Sequence, residues 1–394
     1  MRLCIVNPYH SGSHAYWAEG LQRHLGSMPG VELELLTTPG RHWKWRMHGA
    51  AVPLARQFSE CYNNGVPDLI VCTDMMDAAL FRSLLSPAAR SVPVAVYFHE
   101  NQLTFPSGRS EPPPDWDRHY AFMNIASALS ADALWFNSAY HREAFLQAVP
   151  TYISSMPDLK MTVELAEFRE KSAVLPLGVS GAQIRACENA RLEGAPIVVW
   201  NHRWERDKNP ETFFATLEQL MDEGLEFRLS VLGQSFKRTP EIFSRARERF
   251  ADRIHAWGFA ESREVYLSRL WEAHVLFVTS HHDFFGLSVV EGACCGLHVV
   301  APDDLAYNEH FLDADGATCP CADLVGRDNL KAALRAAIES AGEESASEES
   351  AGVRSVGNAV LEKYDWPRVA QFYFEAAESI IASRSSGHRV GRPD

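Results

Sequence analysis

The sequence predicts an α/β protein with two Rossmann-like, doubly wound domains in series, facing each other across a cleft. Three observations predict it. Short runs that are apolar at consecutive positions, as parallel strands covered on both faces are, recur along the chain. Longer mixed segments of helical length separate them. The alternation pauses once, at 176–195, in a stretch rich in Gly and small residues, and then resumes.

In the first half, LCIVN at 3–7, VELELLT at 31–37, DLIVC at 68–72, VPVAVYF at 92–98 and ALWFN at 133–137 read as strands. Helices are expected between them at about 14–27, 50–60, 76–87, 117–131 and 139–149. After the pause, strands are expected at IVVWN 197–201, FRLSVLG 227–233, IHAWG 254–258, VLFVTS 275–280 and HVVAP 298–302. The domains are thus expected at 1–178 and 179–366, with 351–383 largely helical. Residues 367–394 should supply a last helix packing back on the first domain and then a disordered tail. The acidic stretch GEESASEES at 342–350 reads as a solvated loop or helix end.

A chain of 394 residues suits two domains of ordinary size, and 46% hydrophobic with 22% charged residues is a globular composition. The formal net charge of -14 excludes a general nucleic-acid binder, which needs a large basic surface to release counterions. A local basic patch around one polyanionic substrate remains compatible with it. The cysteines, Cys4, Cys61, Cys72, Cys187, Cys294, Cys295, Cys319 and Cys321, form no CxxC pair. They read as free core thiols in a reducing compartment. The opening MRLCIVNP runs straight into a strand and is too short for a signal peptide. No apolar stretch reaches the roughly 20 residues of a membrane span, so a cytoplasmic location is expected.

The strongest chemical signal is SHHDFFGLSVVEGACCG at 280–296, which follows a strand and opens a helix. Gly286 lies at the helix start, where open backbone N–H groups and the helix dipole favour anions. Leu287, Val290 and Cys294 fall at helical spacing and are expected to face the core. Asp283 and Glu291 suit contacts to sugar hydroxyls and to a ribose; the plain alternative is a capping Asp and a solvated Glu. The second signal is NHRWERDKNP at 201–210. It sets Arg203 and Lys208 on a loop at a strand's carboxyl end, with Pro210 starting a helix. Two cations there suit a diphosphate; the alternative is a pair of surface cations.

These two motifs resemble those of the large retaining glycosyltransferase family four, of GT-B fold. Its hallmark is an acidic residue, seven residues and then Glu around a Phe–Gly, and here it reads DFFGLSVVE, Asp283 to Glu291. Asp stands where Glu is usual, which puts the sugar contact of Asp283 in more doubt than the role of Glu291. The Arg–x4–Lys spacing of 203 and 208 matches as well. A closer resemblance covers nearly the whole chain. SGSHAYW at 11–17, PGRHWKWRM at 39–47, YFHENQLTFP at 97–106, FNSAYHREAF at 136–145, NHRWERDKNPETFF at 201–214 and LGQSF at 232–236 are similar to the tRNA-queuosine α-mannosyltransferases.

That resemblance implies a retaining transfer of mannose from GDP-mannose to queuosine at the wobble position of an aspartate tRNA. It implies a nucleotide-sugar donor and a tRNA acceptor as partners, with no cofactor. His99, Asp283, Arg203 and Lys208 are then expected to be catalytic. Gly12, Arg203, Lys208, Gly233, Phe285, Gly286, Leu287 and Glu291 are expected to hold the donor, with the base near Gly233 and Trp257–Phe259. Arg41, Trp43, Lys44, Trp45, Arg46, Glu100 and Asn101 are assigned to the acceptor. RHWKWRMH at 41–48 interleaves cations and aromatics as a base-stacking, phosphate-contacting segment does; the alternative is a loop whose tryptophans fill the interdomain core. His281 and His282 sit side by side on a strand end and point apart, so no metal is expected. A transferase for a lipid-linked or cell-envelope glycan, and an inactive tRNA- or sugar-binding relative, are the rival readings.

Overall fold

Two six-stranded sheets, parallel throughout, carry the chain. The structure is a computed structural model of the 394-residue chain and describes residues 1–105, 118–158, 163–235, 239–312, 316–344 and 350–387. The expected disordered tail beyond Gly387 and most of the acidic stretch lie outside the described residues. The chain divides into one unit of Met1–Gly178 with the helix Trp366–Gly387, and a second of Val179–Asp365.

In the first unit the strands are β1 (Arg2–His10), β2 (Glu32–Pro39), β3 (Leu69–Thr73), β4 (Val94–Phe98), β5 (Ala133–Phe136) and β6 (Ser172–Val174), in the order β2-β1-β3-β4-β5-β6. The apolar runs are buried on both faces, as β3, β4 and β5 show at every residue. One face packs Val6, Cys72, Val96 and Phe136 against Phe58, Phe81 and Phe145 from helices. On the other, Trp17 stacks on Tyr97 at 4.4 Å, and its indole donates to Tyr373 Oη (2.8 Å) in the C-terminal helix. Trp366 opens that helix in a slot between two glycines. A Cβ on Gly20 would come 2.0 Å from its ring, and one on Gly178 2.3 Å.

In the second unit β7 (Ile197–Trp200), β8 (Arg228–Leu232), β9 (Ile254–Gly258), β10 (Val275–Phe277), β11 (His298–Pro302) and β12 (Ala322–Val325) run in the order β12-β11-β10-β7-β8-β9. Val198, Trp200, Phe213, Phe214, Phe243 and Phe277 form its core. The strand order reverses between β1 and β3 in the first unit and between β7 and β10 in the second. The carboxyl ends of those strands are where an open α/β sheet takes its ligands.

Several sequence expectations needed correction. The edge strands β6 and β12 were not expected, because they are short and half-buried and show no long apolar run. The helix expected at 76–87 is two, Ala78–Leu84 and Pro87–Arg90, since Pro87 with its Ser86 cap starts a new one. RHWKWRMH is no loop: Trp43–Gly49 is a helix, entered through His42 at φ 56°. Of the cysteines, Cys61 is exposed, so not every one is a core thiol.

Trp366→Ala should cost the first unit about 3–5 kcal/mol, the usual loss for a buried Trp. Gly20→Val should destabilise the same unit by overpacking its slot. Guanidinium unfolding followed by near-ultraviolet dichroism checks both.

Candidate active site

At the second unit's reversal point, the loops after β7 and β10 are joined by buried polar contacts. Lys208 ends the 3-10 turn Arg206–Lys208. Asn209 follows at φ 55°, and its side chain caps the helix Pro210–Asp222 through Thr212 N (3.2 Å). Thr279 Oγ1 donates to the carbonyls of Lys208 (3.1 Å) and Asn209 (2.9 Å). The Lys208 ammonium donates to Asp283 Oδ1 (2.8 Å) and the His282 carbonyl (2.7 Å), and lies 3.0 Å from Asp207 Oδ2. Tyr307 Oη donates to Asp283 Oδ2 (2.7 Å). Burial alone would raise the Asp283 carboxyl, but Lys208, then His202, outweigh it and hold it well below the usual carboxylate range. Burial opposes the Lys208 charge, yet Asp283 and Asp207 hold its pKa above the ordinary value.

This corrects the picture of two equivalent cations. Lys208 is buried as the counter-ion of Asp283. The side chain of Arg203 is 52% exposed and pairs with Glu205 at 3.1 Å, so it faces solvent, as Arg206 of the same loop does.

The helix Leu287–Cys294 begins at Gly286, whose φ of +77° favours glycine; a Cβ there would also press on the Tyr307 ring at 3.1 Å. Val290 and Cys294 are buried as expected, but so are Val289, Glu291, Gly292 and Ala293, while Leu287 is only half-buried. Leu287 thus does not head a core stripe, because the first turn stands clear of the sheet and the rest is covered on every side. Phe285 is an anchor for the turn: its buried ring meets His310 at 4.9 Å and Tyr364 at 5.5 Å. Its carbonyl accepts from His310 Nε2 (2.5 Å). Ser288 Oγ meets His202 Nδ1 at 3.0 Å, and Asn201 Nδ2 donates to the Ser288 carbonyl (2.6 Å). Burial lowers His202 to about 4, so it is neutral at pH 7. Glu291 is no solvated carboxylate; it is 3% exposed, with Arg263 Nη2 at 2.5 Å from Oε1 and Tyr266 Oη at 3.0 Å from Oε2.

Gly233 has a φ of +122°, and a Cβ there would strike the His202 carbonyl at 2.0 Å. The end of β8 therefore packs directly on the loop after β7. Beyond it, Trp257 packs against Trp204 (5.7 Å), and Phe259 is 73% exposed. His281 is exposed and His282 buried, with the latter's carbonyl spent on Lys208.

In the first unit, Gly12 starts the helix Gly12–His24 at φ +53°, at the end of β1. His99 follows β4 and stacks on His14, ring centroids 4.1 Å apart. Its backbone N–H donates to Asp74 Oδ1 (2.9 Å), and its carbonyl accepts from Asn137 Nδ2 (2.9 Å). Burial, then His14 and His141, push the His99 imidazole well below its ordinary value, so it is neutral; its Nε2 is buried without a protein partner. Burial, then the Glu100 carboxylate, push Asp74 well above the usual range. Glu100 accepts from Gln102 Nε2 (2.9 Å). Asn101 is fully buried, and its Oδ1 accepts from Leu103 N and Thr104 N, both at 3.0 Å. Asn101 therefore shapes the loop rather than offering an exposed contact.

The Trp43–Gly49 helix separates the two tryptophans. Trp43 packs at 5.3 Å from Tyr120, beside Met47 and Met75, whereas Trp45 is 64% exposed over Gly49. Trp43 thus packs in a small cluster within the first unit, and Trp45 stays at its surface. The Lys44 ammonium lies 5.6 Å from the Trp43 and Tyr120 rings, Arg46 Nε donates to the Pro39 carbonyl (3.1 Å), and Arg41 is exposed.

Sequence reasoning missed Asp74, Arg263, Tyr266 and Tyr307. Asp74 was findable, since it directly follows an apolar strand; the other three carry no local signal. His202, Asn137 and His141 lay inside quoted motifs but were not singled out.

Residues 2–179 match the family model described as tRNA-queuosine alpha-mannosyltransferase N-terminal, and 186–351 match Glycosyl transferases group 1. A tRNA-queuosine alpha-mannosyltransferase of Drosophila melanogaster is 30% identical over 317 residues, 78% of this chain and 81% of that protein. The fold is similar to that of sucrose-phosphate synthase from Thermosynechococcus elongatus (16% identity, 97% and 100% of the two chains, TM-score 0.68). It is also similar to Anabaena HepE in complex with UDP (14%, 96% and 100%, TM-score 0.64). These neighbours bear out the expected two Rossmann-like domains of GT-B type.

Burial lowers His202, His274, His282 and His310 each from an ordinary 6.5 to about 4. The unfolded chain takes up protons from about pH 6.5 downward, and the folded unit only near pH 4. Stability of the second unit should therefore fall with pH between those values, by up to roughly 1.4 kcal/mol per pH unit for each imidazole. Unfolding midpoints across that window check it, and His310→Asn should flatten the slope.

Proposed function

The chain belongs to the tRNA-queuosine α-mannosyltransferase family, and on that footing we propose that it moves mannose from GDP-mannose to queuosine at the wobble position of tRNA-Asp, with retention at the anomeric carbon. The observation that carries the reading is the match through 2–179. It covers the half expected to bind the acceptor, where a generic sugar transferase would match only through the donor half.

In this reading the bond between the anomeric carbon and the β-phosphate oxygen breaks, and negative charge grows on the diphosphate. Arg203 and the open N–H groups at the start of the Leu287–Cys294 helix stabilise it. Preorganised donors of this kind usually supply the largest share of catalysis. Asp283, kept anionic by Lys208, meets the sugar hydroxyls. Within the first unit, neutral His99 keeps its buried Nε2 for a polar contact to substrate. Glu291 accepts from the ribose, and exposed Phe259 suits stacking on the base. The departing phosphate takes the proton of the attacking queuosine hydroxyl, so the reaction calls on no cofactor. Arg41, Lys44 and Arg46 meet tRNA phosphates, and Trp45 stacks on a base. No helix among the described residues is long and apolar enough to cross a membrane, and a cytoplasmic location follows from the proposed substrate.

Mass spectrometry of tRNA nucleosides from cells with and without the gene tests the reading. Mannosyl-queuosine should disappear with the gene; unchanged nucleosides, or modification of a lipid-linked sugar instead, would remove tRNA from the proposal.

Arg203→Ala should lower kcat/KM by about 2–4 kcal/mol in transition-state terms, with little change in melting temperature. Lys208→Ala should lower both, because Asp283 is left buried and unpaired, at about 3–5 kcal/mol. Glu291→Gln should weaken GDP binding; unaltered affinity would make that carboxylate structural only. Acceptor affinity should fall steeply with salt, and the triple variant Arg41→Ala, Lys44→Ala, Arg46→Ala should flatten that slope while sparing GDP-mannose binding.

A further inference from the structure

Both oxygens of Glu291 are already engaged inside the second unit. Arg263 Nη2 donates to Oε1 and Tyr266 Oη to Oε2. An ionised carboxylate has about four acceptor sites, two on each oxygen. One site per oxygen is thus left, in the plane of a carboxylate that two donors have fixed. A vicinal cis-diol presents two hydroxyls and fits that remainder.

We propose that Arg263 and Tyr266 are positioning residues that hold the Glu291 carboxylate in the rotamer that accepts both hydroxyls of the donor ribose; the inference rests on the reading of the second unit as the nucleotide-sugar half.

The direction of the tyrosine proton is settled by its other neighbour. Asn201 Nδ2 lies 3.2 Å from Tyr266 Oη and can only donate, so the hydroxyl accepts from Asn201 and donates to Glu291. Burial, then the Glu291 carboxylate, keep that hydroxyl protonated by holding its pKa well above the ordinary value. The same Asn201 amide donates to the Ser288 carbonyl (2.6 Å), tying the carboxylate's support to the first turn of the helix. The Arg263 guanidinium lies 5.3 Å from the Tyr266 ring and is the partly exposed member of the pair, 30% against 3% for Glu291. It supplies the counter-charge beside the buried Glu291 carboxylate. Asn201 follows β7 directly, so the donor end of the sheet sets the position of the whole chain of contacts.

The test compares GDP with 2′,3′-dideoxy-GDP, which keeps the base and diphosphate and lacks both hydroxyls. Wild type should bind GDP about 10- to 100-fold more tightly, as two hydrogen bonds to a charged acceptor allow. Tyr266→Phe should bring that ratio to within about threefold of unity, with the affinity for dideoxy-GDP unchanged. Arg263→Lys, which keeps the charge but loses the fork, should give an intermediate ratio; Arg263→Met is avoided because it leaves a buried carboxylate unpaired. With GDP-mannose the loss should appear in KM more than in kcat. If both variants weaken the two ligands by the same factor, the residues only stabilise the unit and the proposal is overturned. Equal binding of the two ligands by wild type would overturn it together with the ribose role of Glu291. A wild type that discriminates the ligands yet leaves queuosine tRNA unmodified would overturn the functional reading alone.

Discussion

A lysine ammonium and an aspartate carboxylate cannot be taken out of water one at a time, since each carries a desolvation cost of several kcal/mol. In the second unit Lys208 and Asp283 go in together, 2.8 Å apart, with Tyr307 completing the carboxylate and the His282 carbonyl completing the ammonium. The pair locks the loop after β7 to the loop after β10. Three residues beyond Asp283 the chain turns through Gly286, and the Tyr307 ring that steadies the carboxylate also crowds that glycine. The helix start, Ser288 and Glu291 all inherit their positions from this contact. In the proposed function a phosphate-facing N-terminus and a ribose-facing carboxylate need a fixed separation, and the buried pair supplies it.

The same pairing explains why Arg203 and Lys208, five apart in sequence, do different work. Lys208 is consumed by the protein and sets geometry. Arg203 keeps a side chain half in solvent, and in the proposed function that leaves it open to an incoming diphosphate. In the first unit Asn101 Oδ1 is spent on its own loop, while Asn101 Nδ2 and His99 Nε2 are both buried without a protein partner.

The strands were legible because a parallel strand covered on both faces is apolar at consecutive positions, as LIVCT and VAVYF are. β6 and β12 were not, since an edge strand is half-exposed and has no such run. The motif residues Asp283, Gly286 and Glu291 were legible from local spacing. Their partners were not: Tyr307 lies 24 residues from Asp283, and Arg263 lies 28 from Glu291, distances that only the tertiary fold closes. The exposure of Trp45 against the packing of Trp43 was equally hidden, because helical phase decides it and the segment read as a loop.

The slot that Trp366 fills carries a consequence for how the protein is made. Gly20 and Gly178 are synthesised early, and the indole that lies between them belongs to a helix made only after the whole of Val179–Asp365. Tyr373, which receives the Trp17 indole, arrives later still. The first unit therefore emerges first and is completed only after Val179–Asp365 has all its strands in hand. During that interval one face of the first sheet, with Trp17 and Tyr97 on it, waits without its cover. A chain cut short before Trp366 would hold all six strands of the second unit, while the first lacked the indole that fills its slot and the tyrosine that meets Trp17.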